Sequence, residues 1–150
     1  MANGILNGTD LGVYITPTGG SATLIAYATS ATININHSPR STSSKEDGGW
    51  ESAMEGYRNW DISCDAMYAW LDADGNPIGG LTLSELFTQM IDTRAKLSVT
   101  FGVTTTTSGD TKYSGDVWMT SASLSAPNED SSTFSVSLQG TGSLTQTIAA

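Results

Sequence analysis

The 150-residue sequence predicts a mainly β protein, a β-sandwich or partly closed barrel with one flanking α-helix. Three observations lead there. Apolar and polar residues alternate along several separate runs, which is the period of a strand with one buried face. Serine and threonine supply 41 residues, over a quarter of the chain, while Asp, Glu, Lys and Arg together make 14%; this mix suits strands and turns better than a helical bundle. A single stretch has helical spacing behind a capping signal. The length fits one domain, spanning 1–150, with one core.

The elements follow in order. Leu11, Val13 and Ile15 alternate with Gly12, Tyr14 and Thr16, and the run stops at Pro17-Thr18-Gly19-Gly20, a first strand and hairpin turn. After a strand over 22–29, Ala31, Ile33 and Ile35 share a face while Thr32, Asn34 and Asn36 take the other. The segment 38–56 breaks the pattern with Pro39, a serine cluster, mixed charges and Gly48-Gly49 before Trp50. A connection that long is functional or disordered, and Trp50 and Met54 are costly to leave in water, which favours function. Alternation resumes over 57–69: Arg58, Trp60, Ile62, Cys64 and Ala66 on one face, Asn59, Asp61, Ser63, Asp65 and Met67 on the other. This strand is expected to pair with the one ending at His37. Thr82-Leu83-Ser84-Glu85 has capping-box spacing before Leu86, Phe87, Met90 and Ile91, so a short helix is expected at about 82–92. Leu97, Val99, Phe101 and Val103 mark the next strand, 111–126 a long polar-rich one, and Pro127 to Asp130 a turn. Phe134, Val136 and Leu138 mark the last strand, leaving 140–150 as a small-residue tail.

Several function classes are disfavoured by the residues. Six basic against fifteen acidic side chains give a net charge of −9, which repels nucleic-acid phosphates. No apolar run approaches the roughly 18–20 residues that span a bilayer, so no membrane partner is expected. The single cysteine cannot form an internal disulfide, and the opening MANGILNGTD lacks the charged start and apolar run of a secretion leader. One His and one Cys are a thin stock for catalysis, and no enzyme is expected. His37, at a strand end, reads as a surface or hydrogen-bonded histidine; Cys64, beside Asp61 and Asp65, lacks the positive charge that would activate a thiol. Asp72, Asp74 and Asn76 match the first ligand positions of a calcium loop, but Pro77 replaces its glycine and Leu83 its final Glu. A solvated turn is the simpler account, and neither metal nor cofactor is expected. Glu46, Asp47, Glu51 and Glu55 lie on a loop, a poor place to hold a glycosidase carboxylate pair. With Arg40 and Lys45 they make a mixed-charge contact surface that requires a partner. Trp50, Tyr57, Trp60, Trp70 and Trp118 leave a carbohydrate-binding β-sandwich module as the alternative, although Trp60 and Trp118 sit inside strand patterns that suit a core.

Three blocks of sequence resemble one family. They are Asn7-Gly8-Thr9-Asp10-Leu11; Thr42-Ser43-Ser44-Lys45-Glu46-Asp47-Gly48-Gly49-Trp50-Glu51 with Gly56-Tyr57-Arg58-Asn59-Trp60 and Ser63-Cys64-Asp65; and Tyr113-Ser114-Gly115, Met119-Thr120-Ser121, Ser125 to Asp130 and Thr133 to Gly142. In this order they resemble the major tail proteins, or tail-tube proteins, of long-tailed bacteriophages, with related tubes in gene-transfer agents and contractile injection devices. The resemblance implies a virion structural protein, assembled in the host cytoplasm, that forms stacked hexameric rings. It implies a tube enclosing the tape-measure protein, meeting terminator and tail-tip proteins at its ends, and passing DNA in transit without binding it. A negative lumen would keep phosphates mobile, and the candidates to line it are Asn34, Asn36, Asp61, Asp65 and Asp116. Rings need heterologous contacts, and loop 38–56, the first ten residues and the tail 140–150 are the unpaired material for them. Within the loop, Trp50 and Met54 are expected as apolar anchors, with Arg40, Lys45, Glu46, Asp47 and Glu51 setting charge register around them. A loop that orders only on docking would guard against premature polymerisation.

Overall fold

The computed structural model describes residues 11–16, 20–25, 28–68, 74, 83–103 and 108–149. Seven strands, β1 Leu11–Thr16, β2 Thr23–Leu24, β3 Ala28–Ser41, β4 Ala53–Met67, β5 Leu97–Val103, β6 Thr111–Ser125 and β7 Thr133–Ile148, form one sheet in the order β2-β1-β5-β6-β7-β4-β3. Every pair in it is antiparallel. β1 approaches β3 from across the sheet, so the sheet curls on itself without closing. Helix α1, Leu83–Thr88, runs into a π turn, Gln89–Thr93, and buries Leu86 in the same core.

Register explains the core. Ile33, Ile62, Leu138 and Met119 lie abreast on β3, β4, β7 and β6, and so do Ala31, Cys64, Val136 and Ala122. On the other wing Val13 faces Phe101, Ile15 faces Val99, and Leu97 faces Val117. The alternation that marked these strands in the sequence is therefore the inner face of one sheet, and the expected pairing of β3 with β4 holds.

Three expectations need correction, whereas the helix expected at about 82–92 is found within a residue of those bounds. The connection between β3 and β4 is 42–52 and not 38–56, because the two strands continue as a hairpin with Arg40 opposite Met54. Both faces of that hairpin are wet, so no apolar alternation announced it. Pro39 is tolerated because β3 is an edge strand and its register slips between Ser38 and Arg40. The supposed tail is strand: β7 stays paired to β6 out to Thr111 opposite Ile148. The helix is Leu83–Thr88 plus the π turn, ended by Arg94 in the left-handed region at φ 45°; Thr82, and with it the capping box, lies outside the described residues. Trp118 is not core but 44% exposed, because it alternates with inward-facing Val117 and Met119.

Trp60 is core, 4% exposed. Its indole lies so close over Gly140 and Gly115 that a Cβ on either would sit 2.2 Å or 2.6 Å from a ring carbon. The ring nitrogen donates to the Gly142 carbonyl at 3.2 Å, and the Gln139 amide donates to the Trp60 carbonyl at 3.2 Å. Trp60 stands one residue beyond the last β4–β7 pair, Asp61 with Gln139, so it fills the level at which β4 parts from β7. Replacing Gly140 by Ala is expected to cost about 1–3 kcal/mol through overpacking. Urea unfolding reads this directly, and an unchanged midpoint would contradict the packing.

Candidate assembly surfaces

Beyond Asp61, β4 no longer pairs with β7 among the described residues, and past the hydrogen bonds of Trp60 the segments 35–41 and 53–60 continue as a two-stranded arm. Four large apolar side chains of the arm and its tip are exposed: Ile35 at 60%, Trp50 at 82%, Met54 at 53% and Tyr57 at 86%. Ile35 was assigned to the inner face by its phase. The phase is right, but the sheet it should pack on ends at Trp60, which leaves the side chain in solvent. A cleft of ≈ 600 Å³ separates the arm from β7, lined in part by Ile35, Tyr57, Tyr113 and Leu144.

The tip, 42–52, is held by its own hydrogen bonds. The Asp47 carboxylate accepts from the Ser44 N–H at 2.5 Å, Ser44 Oγ accepts from the Glu46 N–H at 3.2 Å, and the Asp47 carbonyl accepts from the Trp50 N–H at 3.1 Å. Ser43 Oγ accepts from the Ser52 N–H at 2.8 Å and donates to the Ser52 carbonyl at 3.2 Å. Gly48 and Gly49 take the positive φ angles, 62° and 87°, that reverse the chain. These hydrogen bonds hold the tip together within the chain. Arg40, Lys45, Glu46 and Glu51 are exposed around Trp50, and Asp47 is half-buried by its turn. His37, on the arm, is exposed and accepts the Gly56 N–H at Nε2, 3.2 Å away.

The opposite face of the sheet is mostly polar at its centre, interrupted by the half-exposed Trp118, which pairs with Gln139 in the row of Asp61 and Asn34. Register puts Asn34, Asn36, Asp61, Asp65 and Asp116 on that one face. Asn34 Nδ2 donates to Asp61 at 3.1 Å, and Asp65 accepts from Ser30 at 3.0 Å and from Ser135. Asn36 faces Asn59 across the hairpin. Asp116 stands apart on β6, where it accepts from Ser98 at 3.3 Å and meets the Lys96 ammonium at 3.6 Å. Sequence reasoning missed Ser135, Ser137 and Gln139, which continue the same face on β7; their alternation with Phe134, Val136 and Leu138 was the available signal.

Other chemistry is sparse. Among the described residues no three His, Cys, Asp or Glu side chains converge as a metal site would require, and no helix is long and apolar enough to cross a membrane. Of the calcium-loop candidates, Asp72 and Asn76 lie outside the described residues, and so does Trp70. Among the described residues of the alternative's aromatic set, Trp60 is core while Trp50, Tyr57 and Trp118 are exposed.

Comparison with known proteins gives a consistent result. A family model described as "Phage tail tube protein" matches residues 5–146. No curated protein sequence matches the chain. Among solved structures, the tail of an empty gene transfer agent particle, computed with helical refinement and C6 symmetry, is similar at a TM-score of 0.75 and 20% identity, covering 95% of this chain and 99% of that one. The SPP1 tail tube gives a TM-score of 0.72 at 13% identity, covering 96% and 80%. The baseplate of the anti-feeding prophage gives 0.70 at 7% identity, covering 99% of each chain. At these identities the likeness establishes the shared fold.

Cys64 is 1% exposed between Ile62 and Ala66, and burial, with the neighbouring Asp65 carboxylate, pushes its thiol up to about 11. It behaves as a small core residue. A soluble thiol reagent at neutral pH is expected to leave the native protein unlabelled and to modify it promptly in guanidinium. Fast labelling of the native state would overturn this.

Proposed function

The chain belongs to the phage tail tube protein family, and from that premise we propose that it polymerises as stacked hexameric rings into a virion tail tube. The tube encloses the tape-measure protein during assembly in the host cytoplasm and then conducts DNA, with terminator and tail-tip proteins at its ends. Its role is structural and not catalytic.

The observation that carries this reading is the arm. A preformed hairpin with Ile35, Trp50, Met54 and Tyr57 in solvent is poor design for a monomer and good design for a subunit. Its tip is already hydrogen-bonded, so docking freezes few additional torsions. Trp50 and Met54 are the apolar anchors, ringed by Arg40, Lys45, Glu46, Asp47 and Glu51, which set register by charge. Such a contact is heterologous, and heterologous contacts close into rings or propagate as helices. The C6 symmetry of the similar gene transfer agent tail supports six subunits per ring.

The polar face suits the lumen. Asn34, Asn36, Asp61, Asp65 and Asp116 offer hydrogen-bonding groups and negative charge, with Lys96 neutralising only the last. Phosphates passing such a wall are repelled and stay mobile.

Two results are expected. Trp50→Ala leaves the monomer folded and weakens subunit contact by on the order of 2 kcal/mol or more. Negative-stain microscopy and sedimentation at rising concentration then show tubes for the parent chain and none for the variant; normal tubes from the variant would sink the anchor role. Asp61→Lys with Asp65→Lys still yields tubes, but these retain DNA at low salt and release it as salt rises. Failure to retain DNA would remove these residues from the lumen.

A further inference from the structure

We propose that His37 is a pH-operated latch on the arm: uncharged, it pins the bulge between β3 and β4, and protonated, it lets the bulge go. The bulge lies where the register slips, between the pair Ser38 with Tyr57 and the pair Arg40 with Met54. Pro39 on one strand, and Glu55 and Gly56 on the other, stand outside the pairing there. Proline brings no N–H, and the two chains approach so closely that a Cβ on Gly56 would collide with the Ser38 carbonyl. The Gly56 N–H donates instead to a side chain, His37 Nε2, at 3.2 Å. An imidazole thus stands in for a rung of the ladder at the irregular step of the arm.

An imidazole nitrogen accepts a hydrogen bond only while it carries no proton, so the latch uses the neutral ring with its N–H at Nδ1. Protonation, which histidine undergoes between about pH 8 and pH 5, acts against the latch in two ways. It turns the acceptor into a second N–H aimed at the Gly56 N–H. It also sets a cation across from Arg58, which register places directly opposite His37. The other titratable groups nearby are Glu55 and Tyr57 on β4 and Arg40 on β3, all exposed. The strand β1, which also approaches β3, carries Tyr14 and no charged side chain over Leu11–Thr16. The latched arm therefore holds one proton fewer than the released arm, so latching strengthens as pH rises and is lost as pH falls through the imidazole range.

The consequence is carried outward by geometry. β3 is an edge strand, so no further strand of the sheet backs the bulge on that side. A bulge sets the angle at which the strands beyond it leave the sheet, and beyond this one lie only two paired rungs and the tip 42–52 with its exposed Trp50. The tip is accordingly aimed at neutral pH and swings in mild acid. The latch is a property of the chain by itself, so its failure leaves the tube reading standing, and failure of the tube reading leaves the latch.

The test follows the isotope-labelled full chain by NMR at about pH 7.5 and about pH 5.5. His37 is the only histidine, so its ring signals are unambiguous, and at the higher pH they are expected to report the Nδ1–H form. Protection of the Gly56 amide, corrected for the intrinsic effect of pH on exchange, is expected to fall several-fold at the lower pH, while the core amides of Val136 and Leu138 keep theirs. His37→Phe, which offers no acceptor, is expected to show the low protection at both pH values. His37→Gln, an acceptor that does not titrate, is expected to hold the high value at both. Gly56 protection in the parent chain that ignores pH overturns the latch, and so does a fall of the same size in His37→Phe, whose ring takes no proton. Loss at Val136 and Leu138 in step with Gly56 also overturns it, because the change is then global.

Discussion

The Trp60 indole lies where the Cβ atoms of any larger residues at 115 and 140 would have to be, and the sheet's departure from regularity begins there. Up to Asp61, β4 is zipped to β7 and its apolar side chains have a floor to pack on. At Trp60 the ring seals the inner face, anchored by its own N–H to the Gly142 carbonyl and by Gln139 to its backbone. Past it, β4 pairs with β3 alone among the described strands. One large residue over two absent side chains thus divides the hairpin into a core half and an arm half. The arm can be long because it is a continuation of two strands whose other ends are fixed in the core.

Charge and apolar surface divide the remaining work. A chain of net charge −9 that associates with itself must overcome like-charge repulsion at every contact. Its carboxylates at 61, 65 and 116 are gathered on the polar face, where Asn34, Ser30, Ser135 and Ser98 hold them. Four of its exposed large apolar side chains, Ile35, Trp50, Met54 and Tyr57, lie on the arm and its tip. The pair between Lys96 and Asp116 is about half exposed on both sides and adds little to stability through solvent screening.

Most of the sheet was legible because one face of each strand is buried, and burial writes a period of two into the sequence. The runs containing Val13, Ile62, Val99 and Val136 all fell on the inner face as their spacing required. What escaped was strand that buries little of either face. Residues 38–41 and 53–56 are mostly exposed on both sides, and 140–148 of β7 packs on the core through little more than Gly140 and Leu144, so pairing there is set by neighbours already in register and not by hydrophobic pattern. Ile35 shows the converse error: correct phase, but no floor. The five polar-face residues were placed on one face by parity alone, whereas the π turn was invisible, since a helix that widens for one turn leaves no periodic trace.

A tip held by its own hydrogen bonds changes the account of how such a subunit waits. If the loop ordered only on docking, the entropy of ordering would hold back polymerisation. The hydrogen bonds from Ser43, Ser44 and Asp47 restrain the tip within the chain, and any such restraint lowers that cost. Restraint must then come from the geometry of the contact. A single heterologous contact between two subunits of like charge gains one buried anchor and loses translational freedom, which leaves it weak. Each further subunit adds contacts without a comparable loss, because its neighbours are already fixed relative to one another. If subunits join through such contacts, growth on an existing assembly is favoured over the start of a new one, and a preformed arm is compatible with a subunit that waits for a nucleus.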